Sequence, residues 1–163
     1  MKTHFLNIVT VSFLTLLSLF LVTNMSKAAP PAALDGMLII NEDAWHFFDT
    51  RAPEQMTLDG LNAFIDQYAG TKITHLFLNP NAQTARFQSQ TRSNAWDTES
   101  KEFWSKNAKL LHERGLDPYK IWIDRCREKK ISPWISMRMN DVHYVDKTDH
   151  FHHSNFWRNN PSF

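Results

Sequence analysis

Three short apolar segments, "MLIIN" (37–41), "ITHLFLN" (73–79) and "SPWISMRM" (132–139), are separated by stretches whose apolar residues recur on the helical period. That alternation constrains the fold more than any other feature. In "MTLDGLNAFIDQYAG", Thr57 stands as N-cap with Asp59 in the first turn. Leu58, Leu61, Phe64, Ile65 and Tyr68 share a face there, and Gly70 closes it. A second helix is predicted over 99–114, carrying Phe103, Trp104, Ala108 and Leu111 and ending at Gly115. Asp117-Pro118 opens a third, with Asp as N-cap, Pro first in the helix, and Tyr119, Trp122, Ile123 and Cys126 as its stripe. "REKK" places cations at its C-terminal end. Strand, helix, strand, helices, strand is the order of an α/β fold with a parallel sheet of right-handed βαβ units.

In a parallel sheet all strand tips lie on one edge, and in open α/β sheets and barrels alike that C-terminal edge is where ligands bind. The first tip carries Asn41, Glu42, Asp43 and Trp45. The second carries Asn79 and Asn81, with His75 earlier in the strand, and the third Arg138, Asn140, Asp141 and His143. Amides and carboxylates bond sugar hydroxyls, while an aromatic ring such as Trp45 stacks on a sugar's apolar face. Glycoside cleavage needs two carboxyl groups across the scissile bond, and Asp141, then Asp43, are the candidates. The competing explanation is turn chemistry, because Asn and Asp bond nearby backbone at loop starts. Arg138 is the most informative residue: a guanidinium beside Met137 and Met139 needs a partner, either a carboxylate of the site or a structural one. The polar segment 80–98 is long for a strand-to-helix connection, which points to a functional loop rather than a disordered one.

Other chemistries find little support. "DKTDHFHHSNF" (146–156) holds Asp146, Asp149, His150, His152 and His153, but at no zinc-site spacing. A solvated loop is the expectation there, with no metal. Cys126 is the only cysteine, so no internal disulfide forms, and its place on an apolar stripe predicts core packing. There is no G-x-S-x-G, P-loop or G-x-G-x-x-G, and 4 glycines leave little from which to build a phosphate cradle. No cofactor is expected. A net charge of +1 argues against nucleic acid as a partner. Six tryptophans and 13% aromatic residues supply enough apolar surface for one domain.

The N-terminus reads separately. Lys2 and His4 precede an apolar run over 5–22, and Ser26-Lys27-Ala28 offers small residues for cleavage after Ala28. Residues 1–28 are therefore expected to be a secretory signal peptide. That implies a secreted or periplasmic protein with no membrane association after cleavage, and "AAPPAALDG" marks a linker over 29–36. The alternative is an uncleaved anchor over 5–22, a length at the lower limit for spanning a bilayer.

"LIINEDAWHFF", "GLDPYKIWIDRCREKKISPWISMRMNDVH" and "SNFWRNNPSF" together resemble the N-terminal part of secreted bacterial glycoside-hydrolase-like (β/α)8 barrels. The matching positions are Asn41, Asp43 and Trp45, Gly115 to Pro118, Arg138 to Asp141, and Phe156 with Asn160-Pro161. The resemblance covers roughly 37–163. It implies a partial barrel equivalent to the first three or so βα units of a TIM barrel, whereas a whole barrel has eight. It also implies a carbohydrate partner, with Asn41, Asp43, Trp45, Asn79, Arg138, Asn140, Asp141 and His143 facing an oligo- or polysaccharide. The expected activity is hydrolysis of O-glycosidic bonds. The acid/base and nucleophile of the best-known barrels lie on later strands, so an incomplete, inactive portion is expected here. The alternative is a non-catalytic carbohydrate-binding or structural α/β module.

Overall fold

The computed structural model describes residues 36–97, 103–139, 141–160 and 162. The signal or anchor segment, all of the linker but Gly36, Asn140 and Pro161 lie outside the described residues. Residues 37–163 form one unit. Its strands are β1 (Ile39–Glu42), β2 (His75–Leu78) and β3 (Ser132–Ile135). They pair in parallel in the order β1-β2-β3, so the chain is α/β with an open three-stranded sheet. Asn41 lies opposite Phe77, and Phe77 opposite Trp134.

The helices are α1 (Ala44–Thr50), α2 (Leu58–Asp66), α3 (Phe103–Glu113), α4 (Pro118–Glu128) and α5 (Asn155–Asn159). Local signals place most of them. The Thr57 side chain accepts from Gly60 N–H at 3.1 Å. Asp117 Oδ1 accepts from the N–H groups of Tyr119 and Lys120 at 3.0 and 3.1 Å. Gly115 adopts φ of +69°, the left-handed turn that ends α3, while Gly70, with φ of +74°, lies in the turn that follows the C-cap of α2 at Gln67. Arg125 then ties α4 to α2 with a fork of bonds to Asp66, Nε–Oδ1 at 2.8 Å and Nη2–Oδ2 at 2.6 Å.

Alternate strand residues face opposite ways, and the described residues cover only one side of the sheet. On that side Ile40, Leu76 and Leu78 join a core with Phe47, Leu61, Phe64, Trp104, Leu111 and Cys126. Trp122 sits at its centre, with ring centroids of Phe47 and Phe64 at 5.1 Å and Tyr119 at 5.2 Å. Its indole N–H donates to Leu61 O at 3.2 Å, so burying this large ring leaves no polar atom unpaired.

Several strand expectations are corrected. The predicted strands over 37–41 and 132–139 are shorter, and they are not buried throughout. Met37, Leu38, Ile39, Trp134, Ile135, Met137 and Met139 are exposed. Two causes act together: β1 and β3 are sheet edges, and no described helix covers the second face, where Phe77 and Trp134 stack on each other at 5.7 Å. Leu58, expected on the buried stripe of α2, is also exposed because it opens the helix.

The polar connection after β2 is the larger surprise. Asn79, Asn81, Gln83, Thr84 and Arg86 are all buried. Side-chain amides tie the segment to the tip of β3, while Ala82 and Ala85 are buried beside them. Asn79 Nδ2 donates to Ser136 O at 2.7 Å, and Asn81 Nδ2 donates to Arg138 O at 2.8 Å. Arg138 N–H in turn donates to Asn81 Oδ1 at 3.2 Å.

Candidate functional site

These staples fix the backbone of Arg138, and its side chain organises the sheet edge. Arg138 Nη2 donates to Asp43 Oδ2 at 2.7 Å, and Nη1 stands 3.6 Å from Asp141 Oδ2. One guanidinium thus bridges the tips of β1 and β3. Asp43 is also the N-cap of α1, accepting from Trp45 N–H at 3.1 Å. Asp141 Oδ1 accepts from His143 N–H at 3.0 Å and meets His143 Nδ1 at 2.5 Å. Turn chemistry and site chemistry coincide in both acids: each uses one oxygen for the local turn and turns the other to Arg138.

The row forms the floor of a cavity of about 270 Å³, whose remaining walls are Trp45, Ala82, Arg86, Tyr144 and His152. Trp104 stands behind, with its ring 5.9 Å from Trp45 and 5.2 Å from His152. The Arg86 guanidinium lies over the same ring at 5.1 Å. Tyr144 and His152 arrive on the loop after β3, which His153 anchors. That imidazole is fully buried and stacked on Trp157 at 3.6 Å. Its Nδ1 is 2.7 Å from Gln83 Oε1, and its Nε2 is 2.9 Å from the carbonyl oxygens of Tyr144 and Lys147. The expectation of a solvated His/Asp loop holds for exposed Asp146 and Asp149 and is corrected at two positions: His153 is buried and structural, and His152 lines the cavity.

The charges are tuned consistently. Burial pushes the Asp43 carboxyl up, but hydrogen bonds from Trp45 N–H and Arg138 outweigh it and hold the group below the ordinary carboxylate value. Asp141 behaves likewise, with burial opposed by the backbone and ring of His143 and by Arg138. Burial pulls the His152 imidazole down to about 4, and His150 adds to the shift. Arg86 is also pulled down by burial, opposed by Tyr119 and Asp43, yet a guanidinium stays charged in any protein.

A pH dependence follows from His152. Unfolded, it takes its proton near 6.5; folded, near 4, so between those values the unfolded chain binds more protons. Stability should therefore fall as pH drops across that window, by at most about 3 kcal/mol. The contributions of Asp43 and Asp141 are intact there and are lost only at lower pH, as it falls through their depressed values. Denaturant titrations at several pH values should give a flatter slope for His152→Gln, and an unchanged slope would remove His152 as the cause.

Of the residues expected to face a ligand, Asp43, Trp45, Arg138, Asp141 and His143 line the cavity. Asn41 does not: it is exposed on β1 opposite Phe77, on the uncovered side of the sheet. Asn79 is buried behind the tip, its Nδ2 bonded to Ser136 O and its backbone carbonyl accepting from Tyr119 Oη at 3.0 Å. Asn140 lies outside the described residues. Sequence reasoning missed Arg86, Tyr144 and His152. The available signal for Arg86 was its isolation, since it is the only charged residue between Asn79 and Thr91. Among the described residues no three His, Cys, Asp or Glu side chains are grouped so as to hold a metal, and no helix is long and apolar enough to cross a membrane.

Comparison with family models and with curated proteins finds no match for this chain.

Proposed function

We propose that the cavity at the C-terminal sheet edge is a saccharide-binding site. The further proposal is that the three βα units correspond to the opening of a glycoside-hydrolase-like (β/α)8 barrel. The observation that carries the binding reading is the joining of an exposed aromatic face with a fixed polar row. Trp45 stands beside Asp43, Arg138, Asp141 and His143 in one cavity. Sugar recognition needs both: an aromatic plane for the ring's C–H face, and paired donors and acceptors for its hydroxyls. The barrel relation is supported by sequential parallel strand order, with the covering helices on one side of the sheet.

Within this reading the described residues are better suited to holding a sugar than to cleaving one. A glycosidase's general acid keeps its proton near neutral pH because its pKa is raised. Both cavity carboxyls are shifted the other way. The test is a titration of the purified chain against a panel of plant, algal and bacterial oligosaccharides, with a parallel assay for released reducing ends. We expect saturable binding that Trp45→Ala weakens at least about tenfold, the loss of one stacking or hydrogen-bonding contact to a ring. Asp141→Asn should weaken it while leaving the fold intact, since the change is nearly isosteric. Absence of binding across the panel, or binding indifferent to both substitutions, would reject the assignment.

A further inference from the structure

The cavity's charges are unevenly matched. Arg138 engages both carboxylates, at 2.7 and 3.6 Å. Arg86 hydrogen-bonds neither, although both act on its charge: it is 3% exposed, and its Nε and Nη1 are buried with no hydrogen-bond partner. Stacking on Trp104 at 5.1 Å offsets part of the cost of burial. An unpaired guanidinium out of water still strongly favours any anion that reaches it. Its position over Trp104, whose ring also meets Trp45 and His152, puts the charged group on the side of the cavity those residues line.

A second atom is unmatched in the same place. Asp141 Oδ2 is buried without a hydrogen-bond partner, since Arg138 Nη1 at 3.6 Å is beyond hydrogen-bonding distance. The cavity therefore holds spare donors on Arg86 and a spare acceptor on Asp141. A bare inorganic anion answers only the first. A neutral sugar answers the second and gives Arg86 only weak acceptors. A sugar that carries its own oxyanion answers both.

Building on the saccharide reading above, we propose that the cavity selects acidic saccharides, with a carboxylate or sulfate group on Arg86 and a ring hydroxyl donating to Asp141. A permanently charged guanidinium with several N–H donors suits such oxyanions.

The test is calorimetric titration of the full chain with four kinds of ligand. These are uronic-acid oligosaccharides, their neutral counterparts, a sulfated counterpart, and free acetate and sulfate. We expect an acidic saccharide to bind roughly 10- to 100-fold more tightly than its neutral counterpart, the range for a hydrogen bond to a charged group. A preference for the uronate assigns a carboxylate, and a preference for the sulfated sugar assigns a sulfate ester; either supports the proposal. Arg86→Gln should bring acidic and neutral affinities together, with Arg86→Lys intermediate, and the wild-type comparison stands even where a variant fails to fold. Equal affinity for acidic and neutral saccharides overturns acid selectivity and leaves the saccharide site standing. Free acetate or sulfate binding as tightly as the acidic sugars overturns both readings, as does failure of every ligand to bind.

Discussion

Trp122→Ala is expected to be the most damaging single substitution, lowering the free energy of unfolding by about 3–5 kcal/mol. Trp122 is 1% exposed and touches Phe47, Phe48, Phe64 and Tyr119, rings contributed by α1, α2 and α4 itself. Truncation opens a cavity where these helices meet and leaves Leu61 O without the indole donor. Typical domains are stable by only ~5–15 kcal/mol, so the variant should sit near the edge of folding. Urea denaturation followed by far-ultraviolet circular dichroism measures this. A loss below about 1 kcal/mol, the cost of an ordinary exposed change, would show that the aromatic cluster does not carry the core.

The second large effect is expected at Arg138. Its side chain is 31% exposed, that of Asp43 47% and that of Asp141 only 3%. Arg138→Ala therefore strands a buried carboxylate at Asp141 and releases a half-exposed one at Asp43. The expected loss is about 3 kcal/mol, the lower end for a broken buried pair, because water can solvate Asp43. The effect on binding should be larger still: without the bridge the two strand tips lose their common ligand-facing group. Arg138→Lys keeps the charge but not the fork, and should recover stability more than affinity. Stability and affinity both unchanged in a folded Arg138→Ala variant would contradict the role given to the bridge.

What could be read in the sequence was what depends on local period and local caps. Thr57, Asp117-Pro118 and Gly115 mark helix ends by their own backbone chemistry, and the structure places them there, whereas α2 ends at Asp66, short of Gly70. The stripe of Tyr119, Trp122 and Cys126 is buried because one apolar face of a helix has only one place to go. Asp43, Trp45, Arg138, Asp141 and His143 could be gathered because parallel strands send their tips to one edge.

The rest escaped for a physical reason. Asn79, Asn81 and Gln83 are polar yet buried, because their side-chain amides satisfy the backbone of another segment 57 or more residues away. No periodicity encodes such pairing. Arg86 was hidden in that run, and His153 in a loop that looks solvated until Gln83 and Trp157 enclose it. Helix α1 escaped because seven residues, "AWHFFDT", are too few to show a period.

The location of a bound ligand can be reported by the six tryptophans individually. Indole N–H signals of isotopically labelled protein, assigned by single Trp substitutions, should be followed during titration with the tightest-binding saccharide. Trp45 lines the cavity and Trp104 stands behind it. Trp134 lies on the sheet face that no described helix covers, and Trp96 lines a second cavity of about 220 Å³ beside His112, which shares only Arg86 with the first. Shifts are expected at Trp45 and Trp104 that saturate together, with Trp134 and Trp96 unmoved. Saturable shifts confined to Trp134 or Trp96 would place the ligand elsewhere and contradict the cavity's assignment.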